Sequence, residues 1–424
     1  MIYSSYCPCK MKKVLVICDI FPPAFAPRMG YLCKYLPALG WEPVVITEFI
    51  PQYIYKELSN ECQYVTYVNY YHASNKFIRT LKYAFVFMAD FFFGYKDWKM
   101  TKIAQRQIEK HHISLILSST YRTFPLRTAH KISKKNNIPL VVDLRDIIEQ
   151  FPDNEHISKK FTNIEFLNRF IANRLTKKLL NQRNHVLKDA AVVTTVSPWH
   201  VETLKQFAGN VQLIYNGFDP ELFFPEINPA KTFKITYTGR LMSTALRDPS
   251  LLFEAVANLF AATKIEPETF RIQFYTDNES KNMISAMAEE YDVARFIDYF
   301  GYVSNHVIPG ILNESSVLLL LTNKSDATKT PQGIMTTKVF EYLAVEKPVL
   351  CVRSDEGCLE ATLQETQSGI AANNVEQVEQ FIMQKYAEWQ QNGYTHQKID
   401  TQKVRQYSRK AQAEQFIRIF ESFS

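Results

Sequence analysis

The chain presents two successive series of short apolar runs, each run leading through a loop into a stretch of helical periodicity, and this pattern limits its fold more than any other feature. The first series opens on the partly β-branched run 13–18 and passes a loop holding Pro22, Pro23 and Pro27. It then predicts a helix over 29–39, closed by Gly40, and a strand over 43–47. Further strands are predicted at 113–117, 139–143, 191–196 and 211–215, with helices over 123–135 and 161–187. The second series predicts strands at 233–237, 270–275, 317–321 and 348–352 and helices near 249–263, 280–290 and 337–345. Continuous apolar runs of this length suit parallel strands covered on both faces.

A seam at 219–231, carrying Pro220, Pro225 and Pro229, separates the two series. A chain of 424 residues also exceeds the ~250–300 at which one core stops growing. The expected fold class is therefore α/β, with two doubly wound Rossmann-like domains and an interdomain cleft. The expected division is 11–222, 230–400, and a terminal segment 401–424, with a helix near 403–421, that returns to the first domain. Met11-Lys12-Lys13 directly precedes the first strand, so Met11 is read as the natural start and residues 1–10 as an extension.

Hydrophobic residues at 46% and charged residues at 22% fit a globular protein rather than a disordered one. A net charge of +6 suits anionic partners such as nucleotide phosphates or an acidic membrane surface. No dense basic cluster accompanies it, and no nucleic-acid partner is expected. Seven cysteines, an odd number with several in apolar runs, point to reduced thiols and a cytoplasmic location. Cys7-Pro8-Cys9 has no second cysteine pair to complete a zinc site.

Two segments carry the chemistry. Tyr237-Thr238-Gly239-Arg240 is a strand running into a glycine turn and an arginine, with Arg247 close by. Such a turn lets backbone amides approach a ligand, and arginine forks onto phosphate oxygens. In the segment 331–348, Thr336 and Thr337 are read as the cap of a short helix whose free N–H groups make an anion seat. Lys338 adds charge there, and Glu341 lies one turn on, placed to bond ribose hydroxyls.

At these residues the chain resembles glycosyltransferase family 4 and its GT-B relatives, especially bacterial surface-polysaccharide members. Phe21-Pro-Pro, Leu36-Pro-Ala-Leu-Gly-Trp-Glu-Pro-Val-Val-Ile-Thr47, Asp143-Leu-Arg-Asp146, Asn216-Gly-Phe-Asp219, Thr238-Gly-Arg240 and Lys338-x-x-Glu-Tyr-Leu-Ala-x-x-Lys-Pro348 carry the likeness in order. The resemblance implies a retaining, hexosyl-transferring enzyme that binds a nucleotide diphosphate sugar. Arg240, Lys338 and Asp146 would be catalytic. Gly239, Arg240, Arg247, Thr336, Thr337 and Lys338 would line the diphosphate seat, Glu341 would hold the ribose, and Tyr302 and Val303 the base. Pro23, Arg28, Gly30, Ser119, Asp143, Arg145 and Asp146, with the loop 118–122, would face the acceptor and the transferring sugar. No cofactor and no metal are implied, since the sequence holds no Asp-x-Asp motif.

The sequence departs from the family pattern at three points. Gly333 stands where a first donor-side glutamate is usual, and Ala245 where a lysine is usual, with Arg247 as the substitute. A first-domain catalytic histidine is not evident, leaving His111, His112 and His130 as candidates. A saccharide or polyprenyl-linked acceptor is implied. The aromatic stretch 77–98, flanked by Arg79, Lys82, Lys96 and Lys99, reads either as a helix lying on the inner membrane surface or as one packed on its own domain. Two other functions remain compatible with the residues: a nucleotide-sugar 2-epimerase, and a non-catalytic nucleotide-sugar-binding module.

Overall fold

Thirteen strands form two parallel sheets among the residues described by the computed structural model, which are 11–121, 123–151, 165–244, 246–322, 333–353 and 357–423. Arg122, Ala245 and residues 1–10, with Cys7 and Cys9, lie outside that set. The chain divides into one unit of Met1–Glu149, Asp153–Tyr215 and Gln412–Ser424 and another of Gln150–Pro152 and Asn216–Ala411.

In the first unit the strands are β1 Lys12–Cys18, β2 Trp41–Glu48, β3 Tyr64–Val68, β4 Leu115–Thr120, β5 Leu140–Leu144, β6 Val192–Thr195 and β7 Val211–Leu213. Their order, β3-β2-β1-β4-β5-β6-β7, reverses between β1 and β4. Side chains of β1 alternate between two cores. Leu15 and Ile17 face one with Ile116 and Val142, while Val14, Val16 and Cys18 face the other with Leu117 and Val141. Both faces are covered, which is why these strands read as unbroken apolar runs.

In the second unit β8 Phe233–Thr238, β9 Phe270–Tyr275, β10 Ile297–Phe300, β11 Val317–Leu321, β12 Val349–Val352 and β13 Gly369–Ala372 follow the order β10-β9-β8-β11-β12-β13. The reversal here falls between β8 and β11. In open sheets of this kind a ligand sits beyond the strand C-termini at the reversal.

The two doubly wound parallel sheets are those the sequence predicts, with local differences. Strands β3, β10 and β13 are additional, as are the helices Tyr95–His111 and Val375–Asn392, and the helix expected in the aromatic stretch 77–98 runs Lys76–Phe93. The predicted helix over 29–39 stops at Tyr35 and gives way to a tighter turn over Pro37–Leu39. Strand β4 runs three residues past its predicted end, through Ser118, Ser119 and Thr120, all buried.

The helix over the aromatic stretch packs on its own unit along one side, with Val86 in the core and Phe85 against Tyr95, and leaves most of its rings exposed. Of the helix Lys76–Phe93 only Val86 is buried, and Phe85 and Phe93 stand 65% and 85% exposed. No described helix is long and apolar enough to cross a membrane.

The helix Arg409–Glu421 starts in the second unit and ends in the first, where Ala413, Phe416 and Phe420 join the core beneath β1 and β2. Phe420 meets Trp41 edge-on at 5.2 Å between ring centroids. Removing so large a buried ring costs ~3–5 kcal/mol through lost transfer energy and the cavity left behind. Phe420→Ala is therefore expected to lower the urea midpoint of the first unit's transition; an unchanged midpoint would show that this helix does not hold the core.

Candidate functional site

The second unit's site is built on the end of β8. The chain turns there at Gly239, whose φ of +115° strains any side-chain-bearing residue. A Cβ at this position would also lie 2.5 Å from Lys338 Nζ. The turn itself calls for glycine, and with any side chain there the Lys338 ammonium would have to shift from its place. Lys338 Nζ donates to Tyr237 Oη at 3.1 Å and lies 4.2 Å from the centre of that ring, a cation–π contact. Tyr237 in turn donates to the Arg240 carbonyl at 2.8 Å, and Arg247 donates to the same oxygen.

Burial pushes the Lys338 ammonium well below its usual pKa, and the Arg247 charge pushes the same way against the pull of Glu341. Among the described residues neither Lys338 nor Arg247 has a carboxylate within ion-pair distance. Two basic side chains brought close together, each half-buried, would both have their charged forms favoured by an anion bound between them.

Glu341 sits one turn along the helix Thr337–Ala344 and is half-buried. Burial raises its carboxyl to about 7, in spite of Arg409 and Lys338. Thr336 occupies the N-cap position as the sequence predicts, but its side chain makes no capping bond, which corrects the expected hydroxyl cap. Thr336 and Thr337 are half-buried at the helix start.

Arg240 is 66% exposed and is held by a 2.9 Å bond from Nε to Asp277. Asp277 caps the helix Asn278–Glu290 by accepting from the Ser280 amide. The bonds from Ser280 hold its carboxyl below the usual range, with a smaller contribution from Arg240. Tyr302 and Val303 lie in the loop just after β10, Tyr302 being exposed and Val303 half-buried. Gly239, Arg240, Arg247, Lys338 and Glu341 thus gather around the end of β8, and Tyr302 and Val303 stand two strands away in the sheet order.

In the first unit the resemblance placed Arg28, Ser119 and Asp143 toward the acceptor, and the interior claims them instead. Arg28 Nε and Nη2 donate to Asp143 at 3.1 and 2.9 Å, and the same guanidinium donates to the Ile214 and Tyr215 carbonyls. Ser119 and Thr194 each donate to Asp143 at 2.8 Å. Asp143 is fully buried, and these bonds to its ionised form hold its carboxyl below the ordinary value despite desolvation, the largest influence on it. A carboxylate so enclosed cannot also touch an acceptor; these residues position the ends of β4, β5 and β6. Gly30 is likewise a packing residue, since a Cβ there would meet Pro22 at 2.5 Å. Pro23 is half-buried, and its carbonyl accepts from the Ile54 and Tyr55 amides.

Closer to the reversal point lies a residue that the sequence reading missed, beside Arg145 and Asp146, which it named. Asp19, the first residue after β1, bonds Arg145 at 2.6 Å and accepts from Thr120 at 3.0 Å. Burial raises the Asp19 carboxyl, with Arg145 opposing. Among the described residues the Nε of Arg145 has no hydrogen-bond partner, and Asp146 lies half-buried beside it. The available signal was an aspartate closing the first strand of a reversing sheet. His111 is buried against Tyr64, His112 closes a helix at positive φ, and His130 pairs with Asp189.

The model of Glycosyltransferase Family 4 matches residues 28–222. Solved structures share the two-sheet fold over nearly the whole chain. A glycosyltransferase from Rickettsia africae aligns at TM-score 0.62 and 15% identity, covering 97% of this chain and 98% of its own. Anabaena HepE in complex with UDP-glucose aligns at TM-score 0.60 and 14% identity, covering 97% and 99%. Sucrose-phosphate synthase from Thermosynechococcus elongatus aligns at 0.58 and 13%, covering 97% and 98%. No curated protein sequence matches the chain.

The raised Glu341 carboxyl has a consequence for stability. Its ordinary pKa is 4.5, and in the folded chain it titrates near 7. Between these values the unfolded chain ionises while the folded chain stays protonated, so folding loses stability as pH rises through that window. Glu341→Gln is expected to remove this loss. Urea unfolding of both proteins from pH 4.5 to 7.5 would show it; curves that stay parallel would mean Glu341 titrates normally.

Proposed function

From the premise of a family 4-like chain with the GT-B fold, we propose a retaining glycosyltransferase that moves a hexose from a nucleotide diphosphate sugar to a saccharide or polyprenyl-linked acceptor, in surface-polysaccharide synthesis. The observation that carries this reading is the pair of basic side chains, Lys338 and Arg247, brought together at the Gly239 turn. The presence of UDP-glucose in the HepE structure supports a UDP sugar as the first donor to try.

In the proposed reaction the bond from the anomeric carbon to the diphosphate breaks, and its electron pair leaves on a phosphate oxygen. Lys338, Arg247 and a re-aimed Arg240 stabilise that charge, helped by the amides that open the helix Thr337–Ala344. The acceptor hydroxyl adds to the same face and passes its proton to the departing oxygen, so no protein nucleophile is needed. Glu341 holds the ribose, while Tyr302 and Val303 border the base. Each charge-assisted bond contributes ~1.5–3 kcal/mol, so two amount to about two to four powers of ten in rate. We read protein cations, rather than a divalent ion, as the counter-charge, because the sequence lacks an Asp-x-Asp motif. Asp19 with Arg145, and Asp146 beside them, is the first unit's polar group for the acceptor side.

The acceptor reading is supported by the helix Lys76–Phe93. Its exposed Phe77, Phe85, Phe92 and Phe93 are accompanied by Phe166 on the helix Glu165–Asp189. Lys178 of that second helix lies 5.0 Å from the Phe91 ring, so the two helices adjoin. So large an apolar surface edged with Lys and Arg fits peripheral attachment to an anionic lipid surface on the cytoplasmic membrane face.

Arg240→Ala and Glu341→Ala are each expected to cut sugar transfer from UDP-glucose by about ten- to a thousandfold with the fold intact. Wild-type rates in either variant would remove that residue from the site. In vesicle flotation the wild type should float with phosphatidylglycerol liposomes, and Phe85→Glu/Phe93→Glu should stay behind; a wild type that fails to float excludes the membrane surface.

A further inference from the structure

We infer that His130, His185 and Asp189 of the first unit form a binding site for one late first-row divalent cation of the zinc class, separate from the donor site on β8. His185 and Asp189 are four residues apart in the last turn of the helix Glu165–Asp189, a spacing that puts both side chains on one face. His130 reaches them from the helix Leu126–Asn136. The possible ligand atoms of the three residues all lie within 4.8 Å of one another. The His130 and His185 rings meet edge to face at 5.3 Å, and His130 Nε2 is 2.8 Å from Asp189 Oδ2.

The chemistry of the set selects the ion. Two imidazoles and one carboxylate supply nitrogen-rich donors, which favour zinc and its neighbours over magnesium or calcium. Three protein ligands leave a fourth, tetrahedral position for water. Electrostatics favours a cation for a second reason. Asp189 is the final residue of its helix, where the negative end of the helix dipole disfavours a carboxylate. Lys134, 3.2 Å from Asp189, supplies part of the compensation, but a monovalent ammonium makes no use of the imidazole lone pairs. Its side chain is 58% exposed and free to turn aside when a metal binds. Seated there, the ion would tie the two helices together over the core lined by Leu126, Ala129, Val186 and Leu187.

The test is isothermal titration of the full chain with zinc alone, with cobalt absorption to report the ligands. The wild type is expected to bind one equivalent at this site and to give a cobalt spectrum of tetrahedral nitrogen and oxygen ligation. His185→Ala should weaken that binding by about a hundredfold or more while melting unchanged without metal, because His185 is exposed. Lys134→Ala should tighten it about two- to fivefold by removing the competing cation. Zinc binding that is equal in the wild type and His185→Ala would overturn the proposal. So would thiolate charge-transfer bands in the cobalt spectrum, which would assign the metal to cysteines.

Discussion

The accommodation of Lys338 by the β8 turn is the constraint on which the second unit's site depends. Gly239 leaves the space its ammonium occupies, and the Tyr237 ring supports it from within the core. Arg247 closes on the Arg240 carbonyl next to it. Like charges collected at a sheet's reversal point, partly withdrawn from water, destabilise the empty protein, and a bound anion would offset that cost. The same arrangement gives Glu341 its character. One turn on from Lys338, it is enclosed enough to hold its proton near neutrality, yet stands close to two cationic residues that favour its ionised form.

The first unit solves a different problem. Its strands end in polar residues, Ser119, Thr120, Asp143 and Thr194, and all of them are buried. Arg28 satisfies Asp143 with two bonds, and Phe416 of the terminal helix lies over the guanidinium at 5.5 Å. Breaking such a buried pair by removing one partner leaves an uncompensated charge, at a cost of ~3–5 kcal/mol. The pair fixes the strand ends against which Asp19 and Arg145 stand, so the polar group nearest the reversal point rests on an ionic interior.

Much of this was legible in the sequence because buried parallel strands are written as apolar runs. Strands such as Phe270–Tyr275 and Val317–Leu321 were found to the residue. The missed strands are weaker text: β13 is Gly-Ile-Ala-Ala, β10 mixes Asp298 with aromatics, and the side chains of β3 are mostly half-buried. Gly239, Lys338 and Glu341 were recognisable from spacing, since a glycine turn after a strand and a helical i,i+3 pair are local features. Arg28 and Asp143 were misplaced because they lie 115 positions apart and residue type does not reveal burial. Asp19 was overlooked for a similar reason, its partner being 126 positions away. The helix Lys76–Phe93 gathers Lys76, Arg79, Lys82 and Asp90 on one side and aromatics on the other, and such a pattern does not by itself say how much of the apolar side is buried.

The central claim, that the Gly239 turn and Lys338 seat a diphosphate, is met most directly by a crystal structure of the chain with UDP. The account predicts diphosphate oxygens within hydrogen-bond distance of Lys338 Nζ and Arg247, with the ribose hydroxyls on Glu341. UDP bound elsewhere, with Lys338 still turned onto Tyr237 and the turn empty, would contradict it.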